Sequence, residues 1–85
     1  MARYELQIKK SVAKDLDPLP KKDVQRIVEA INGLADNPRP SQSLKLSGEE
    51  KYRLRCGTYR VLYEIQDDVL IVCVVKVGHR KNVYK

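Results

Sequence analysis

No run of apolar residues in the chain approaches the ~20 that a membrane-spanning helix needs. The opening Met-Ala-Arg-Tyr-Glu-Leu also lacks the apolar stretch of a secretory leader. A cytoplasmic protein is therefore expected. Cysteine and histidine are scarce. Two cysteines and one histidine cannot supply a four-ligand zinc site, so no metal or cofactor is expected, and Cys56 and Cys73 are expected as reduced, buried small hydrophobes. Tryptophan and phenylalanine are missing altogether, which leaves five tyrosines as the aromatic complement. Internal repeats and low-complexity segments are also absent. So are a glycine-rich phosphate loop, a nucleophile elbow, and a serine with histidine and acid to activate it. Those enzyme classes fall away. With 85 residues, 42% hydrophobic and 33% charged, the chain has material for one folded core, and a single domain spanning 1–85 is expected.

Acidic residues are in deficit, and the deficit is local. The net charge is +6. Lys51–Tyr63 contains Lys51, Arg53, Arg55 and Arg60 with no acid, and Lys76–Lys85 contains Lys76, Arg80, Lys81 and Lys85 with none either. A concentrated positive field suits a polyanion or an acidic protein partner. The first of these segments reads as a β-hairpin. A two-residue turn at Gly57-Thr58 with glycine first, the type II′ preference, sets Cys56 opposite Tyr59, Arg55 opposite Arg60 and Leu54 opposite Val61. Alternation then puts Tyr52, Leu54, Cys56, Tyr59, Val61 and Tyr63 on one face, and Arg53, Arg55 and Arg60 with Leu62 on the other. The tyrosines belong to the core face and are not stacking platforms for bases.

The rest of the chain supports that hairpin. Tyr4, Leu6 and Ile8 alternate with Arg3, Glu5 and Gln7 as a half-buried strand over 3–8, at or next to an edge. Ser11 is a candidate N-cap for a short helix carrying Val12, Leu16 and Leu19, interrupted by Pro18 and Pro20. From Lys21, the spacing Val24, Ile27, Val28, Ile31, Leu34, Ala35 predicts a second helix ended at Asn37-Pro38. A polar link over 39–43 leads to Leu44-Lys45-Leu46 and a turn over 47–50. The second hairpin strand runs on to Gln66. Asp67-Asp68 turns the chain, and Val69–Val77, apolar on both faces, predicts a central strand broken by Gly78. His79–Lys85 forms a basic tail with room for one helical turn. The expected fold is α+β, a two-layer sandwich of an N-terminal strand, a helical hairpin and a three-stranded antiparallel meander, in the order β-α-α-β-β-β. With helices on the tyrosine face, the arginine face stays open to solvent or a ligand.

Guanidinium groups bind phosphate oxygens in bidentate fashion and stay charged, so several on one face would hold an RNA backbone and offset charge at a reacting phosphate. An endonuclease that uses the substrate's own 2′-hydroxyl needs a base for that proton, cations at the phosphate and an acid for the leaving 5′-oxygen. His79 is a candidate proton carrier, with Arg80 and Tyr84 beside it. Solvated surface arginines and a docking face for an acidic partner account for the same pattern.

The segments Leu46-x-Gly48, Tyr52–Tyr63 and Val77-Gly-His-Arg-Lys-Asn-Val-Tyr84 resemble RelE-like toxins of the RelE/ParE type II toxin–antitoxin superfamily. The resemblance covers almost the whole chain. It implies a cytoplasmic toxin, a ribosome-dependent mRNA endonuclease that acts in the ribosomal A site by metal-independent 2′-hydroxyl attack. Its partners would be a RelB-like acidic or amphipathic antitoxin, the ribosome and mRNA, with a toxin–antitoxin complex on operator DNA and no membrane. The resemblance implies catalytic roles for Arg60, His79, Arg80 and Tyr84, and phosphate contacts from Lys51, Arg53, Arg55 and Lys81. Arginine at 53 and 55 departs from a family pattern in which one of the paired basic residues is a lysine implicated as base. A guanidinium does not deprotonate, so that mechanism does not transfer and His79 becomes the alternative, with Lys51 and Glu64 behind it. Two other functions stay open on the same fold: a ParE-like DNA gyrase inhibitor, and a non-catalytic antitoxin-binding homologue.

Overall fold

The computed structural model describes residues 3–46 and 51–79. Its organising feature is the hairpin of β3 (Lys51–Cys56) and β4 (Tyr59–Gln66). Gly57 turns at φ +61° and Thr58 stays in the ordinary region, as a type II′ turn requires. The register pairs Cys56 with Tyr59, Arg55 with Arg60, and Leu54 with Val61, as the sequence predicts. A Cβ at Gly57 would have room, since Arg26 Nη1 lies 3.7 Å away, so the cost of Gly57→Ala is conformational. That variant should lose about 1–2 kcal/mol of unfolding free energy in urea titrations.

Five strands form the sheet, in the order β1-β5-β4-β3-β2. β1 (Glu5–Ile8) is an edge strand parallel to β5 (Ile71–His79), which runs antiparallel to β4. β2 (Ser43–Lys45) is a short further strand on the outer side of β3. Ser43 starts it by donating from its N–H and its Oγ to the Pro40 carbonyl, at 2.9 and 2.7 Å. Three boundaries differ from the sequence expectation. β1 starts two residues later than Arg3. β5 begins after a turn in which Leu70 adopts φ +55°. Gly78 does not end that strand: it pairs with Arg60, and His79 pairs with Tyr59. A glycine opposite a large arginine leaves the ladder intact.

α1 (Lys10–Leu16) and α2 (Lys21–Gly33) cover one face. Ser11 is not the N-cap of α1; the cap is Lys9, with extended backbone and no side-chain hydrogen bond, and Ser11 lies in the first turn. α2 stops at Gly33, earlier than its apolar spacing suggests. Leu34 and Ala35 remain buried, carried by tighter bonds to the carbonyls of Ile31 and Asn32. The core between the layers holds Val12, Ile27, Ile31 and Leu34 against Leu54, Val61, Tyr63, Val72, Val74 and Val77. Cys56 is buried there, whereas Cys73 is half-buried because its register partners Gln7 and Glu64 put it on the opposite face. Among the described residues no helix is long and apolar enough to cross a membrane.

A polar network closes the end of the sheet away from Gly57. Asp67 accepts from Tyr4 Oη at 2.6 Å and from Arg39 Nη2 at 2.8 Å, and Arg39 Nε donates to Tyr52 Oη at 3.1 Å. The Arg39 guanidinium, and then the Tyr4 hydroxyl, hold the Asp67 carboxyl below its ordinary range. A depressed folded-state value means that this contribution is present above pH ~4 and fades as acid protonates the folded carboxylate. Wild type should therefore be more stable than Asp67→Asn at pH 6, and the difference between their urea midpoints should close as the pH falls below 4.

Candidate functional site

The face away from the helices gathers the cations. Alternation puts Lys51, Arg53 and Arg55 of β3 on it beside Arg60, Leu62 and Glu64 of β4. Arg55 and Arg60 are direct cross-strand partners, a like-charge pair that costs stability. Arg55 is exposed, Arg53 and Lys51 are half-buried, and Arg60 retains only 5% of its surface. Arg60 is the one buried charged side chain among the described residues. Its Nη1 donates to its neighbour's Tyr59 carbonyl at 3.3 Å, and its Nε has no partner. No acid among the described residues forms an ion pair with it. A guanidinium in that state is costly to the fold, and an incoming anion relieves the cost.

His79 stands elsewhere than the sequence suggests. It is the last residue of β5, not part of a tail beyond it, and its register partner is Tyr59. It therefore sits on the helix side of the sheet, with its ring edge-on to Tyr59 at a centroid distance of 6.1 Å. Tyr59 is anchored by donating to Asp23 Oδ2 of α2 at 2.9 Å, a bond that raises its hydroxyl above the usual tyrosine range. Cys56, next to this cluster, has its thiol pushed up by burial, so it is a poor nucleophile. Lys51, Arg53, Arg55 and Arg60 are thus brought together, and His79 is held at the strand end behind them. Arg80, Lys81 and Tyr84 lie outside the described residues. Among the described residues no cluster of histidine, cysteine and carboxylates could hold a metal ion.

Lys76 also belongs to this face, although the sequence reading does not select it. Its Cα partner is Leu62, because the β4–β5 register shifts between Leu62 and Tyr63. In a run of Val-Val-Lys-Val nothing marks where the extra residue falls.

A family model for the ParE toxin of type II toxin–antitoxin systems (parDE) matches residues 6–84. Toxin RelG of Mycobacterium tuberculosis is 31% identical over 96% of this chain and 97% of its own length. Toxin RelE of the same organism is 33% identical over 96% of this chain and 87% of its length. A chain in the crystal structure of the archaeal RelE–RelB complex from Pyrococcus horikoshii superposes with a TM-score of 0.84 at 31% identity, covering 98% of this chain and all of that one (100%). With a matching strand and helix order and a family match over nearly its whole length, the chain belongs to the ParE toxin family of type II toxin–antitoxin systems, as a RelE-like member of the RelE/ParE superfamily.

Proposed function

We propose that this toxin is a ribosome-dependent mRNA endonuclease that cleaves by attack of the substrate's own 2′-hydroxyl. The observation that carries this is Arg60, a buried guanidinium without a carboxylate partner among the described residues, on the face where Arg53, Arg55 and Lys51 converge. Arg60 binds the reacting phosphate and offsets charge as it builds there, and Arg53, Arg55 and Lys51 hold the flanking phosphates. Lys81 joins these contacts, while Arg80 and Tyr84 complete the cradle from beyond β5, as the family resemblance implies. His79 acts at the rim of the strand end.

The neutralising partner is a RelB-like antitoxin in a cytoplasmic complex, which also sits on operator DNA. Support comes from relatives solved as RelE–RelB complexes. It also comes from an apolar groove of about 570 Å³ between α1 and α2, lined by Leu16, Leu19, Val24 and Val28, which would take one face of an amphipathic helix.

The test is induction without antitoxin, followed by mapping of mRNA ends with and without ongoing translation. Breaks that depend on translation support the endonuclease. Gyrase-dependent DNA breaks with intact mRNA would replace it with the ParE-type activity, and normal growth with soluble protein would leave only a binding role.

A further inference from the structure

We propose that Lys76, delivered to the arginine face by the bulge in β5, is the group that takes the proton from the attacking 2′-hydroxyl; the assignment rests on the endonuclease reading above. Buried positions on β5 alternate at Val72 and Val74, then skip to Val77. The register skips with them, since Tyr63 faces Val74 but Leu62 faces Lys76, leaving Val75 without a partner of its own. In an unbroken ladder Leu62 would face Val75, and Lys76 would face Val61 in the core. The extra residue instead puts the lysine on the side of Arg53, Arg55 and Arg60. Bulges commonly re-aim a side chain in this way beside a working site.

α1 holds the bulge. β1 ends at Ile8, opposite Val74, so among the described residues the edge of β5 beyond that point has no neighbouring strand. The N–H of Val77 points out of that edge and donates to Asp15 Oδ2 at 3.1 Å. Among the described residues, the charged groups nearest Lys76 in the ladder are Arg60 on one diagonal of β4 and Glu64 on the other, with Asp15 of α1 at the backbone of the next residue, Val77. Arg53 lies across Leu62, about 10 Å away at two strand spacings. Lys51 and Arg55 lie further out on β3. Lys76 is exposed and lies on the diagonal from Arg60 across the β4–β5 ladder, so a phosphate bound at Arg60 is within reach of the amine.

The chemistry requires a group that can exist without its proton. Arginine cannot supply it, whereas a lysine amine can. In the step proposed, the Lys76 Nζ lone pair accepts the 2′-hydroxyl proton while the 2′-oxygen bonds to phosphorus. The bond from phosphorus to the 5′-oxygen breaks, and that oxygen leaves with a proton from water. The products are a 2′,3′-cyclic phosphate, a 5′-hydroxyl and a lysine ammonium that returns its proton to solvent. The charge balances at each point.

The test compares wild type, Lys76→Arg and Asp15→Ala in single-turnover cleavage on ribosomes programmed with mRNA, alongside their affinity for those ribosomes. Lys76→Arg keeps the charge and loses the base, so cleavage should fall roughly 100-fold or more with affinity unchanged. Cleavage by Lys76→Arg at the wild-type rate would overturn the assignment and leave the endonuclease standing. Wild-type protein that cuts no mRNA would overturn both. Asp15→Ala should slow cleavage in the wild-type background but add nothing in the Lys76→Arg background. Equal losses in both backgrounds would reject delivery through the bulge.

Discussion

An Arg60→Met variant should fold at least as stably as wild type and yet cleave mRNA on programmed ribosomes roughly 10²–10³-fold more slowly, the usual loss when one charge-stabilising donor is removed. Both halves follow from the same environment. The guanidinium retains 5% of its surface, opposes Arg55 across the ladder and, among the described residues, makes a single 3.3 Å bond to a backbone carbonyl. Methionine keeps the apolar stem in place and removes a poorly compensated buried cation together with a like-charge repulsion, so a gain of about 1–3 kcal/mol is expected in urea unfolding. Were Arg60 merely a packed structural residue, the same substitution would cost stability and leave activity near normal. A destabilised, active Arg60→Met protein is thus the result that sinks the phosphate-binding role. Arg60→Lys should recover little activity, because an ammonium cannot make the two-pronged contact.

Much of this face is legible in the sequence because one glycine fixes it. Gly57-Thr58 dictates a two-residue turn, the turn dictates the register, and alternation then sorts the arginines from the tyrosines. Helical spacing from Val24 to Leu34 identifies α2 by the same kind of periodic signal, although the helix ends at Gly33 before its apolar pattern does. What escapes the sequence is whatever the period does not encode. The bulge in β5 sits within Val-Val-Lys-Val, where either face tolerates every valine, so neither Lys76 nor the side taken by His79 could be assigned. β2 is three residues long and owes its place to pairing with β3. The burial of Arg60 is likewise not encoded by its alternation, which puts it on the face away from the helices, opposite Arg55 of β3 and Gly78 of β5.

Tyr63→Ala should bring about the largest loss of stability of any single change considered, about 3–5 kcal/mol, out of the 5–15 kcal/mol that domains of this kind possess. Tyr63 is fully buried, its ring stacks on Tyr52 at 5.7 Å, and its hydroxyl donates to the Pro38 carbonyl at 2.7 Å. Tyr63→Phe separates the ring from the hydroxyl: only the bond to Pro38 is lost, at about 1–2 kcal/mol. The two variants also differ with pH. Burial, its main cause, pushes the Tyr63 hydroxyl above the usual tyrosine range. A raised folded-state value means the contribution is complete below pH ~10 and fades as the unfolded chain ionises more readily than the folded one. The gap between wild type and Tyr63→Phe in urea midpoint should therefore be full at pH 8 and narrow above pH 10; a gap that widened there would contradict the buried, neutral phenol. Arg60 lies three residues before Tyr63 and faces the other way, so one strand anchors the core on one side and carries the phosphate-binding cation on the other. Because Tyr63 fixes β4 from beneath, Tyr63→Phe should lower stability without changing the cleavage rate per folded molecule, whereas Arg60→Met should change the rate without lowering stability.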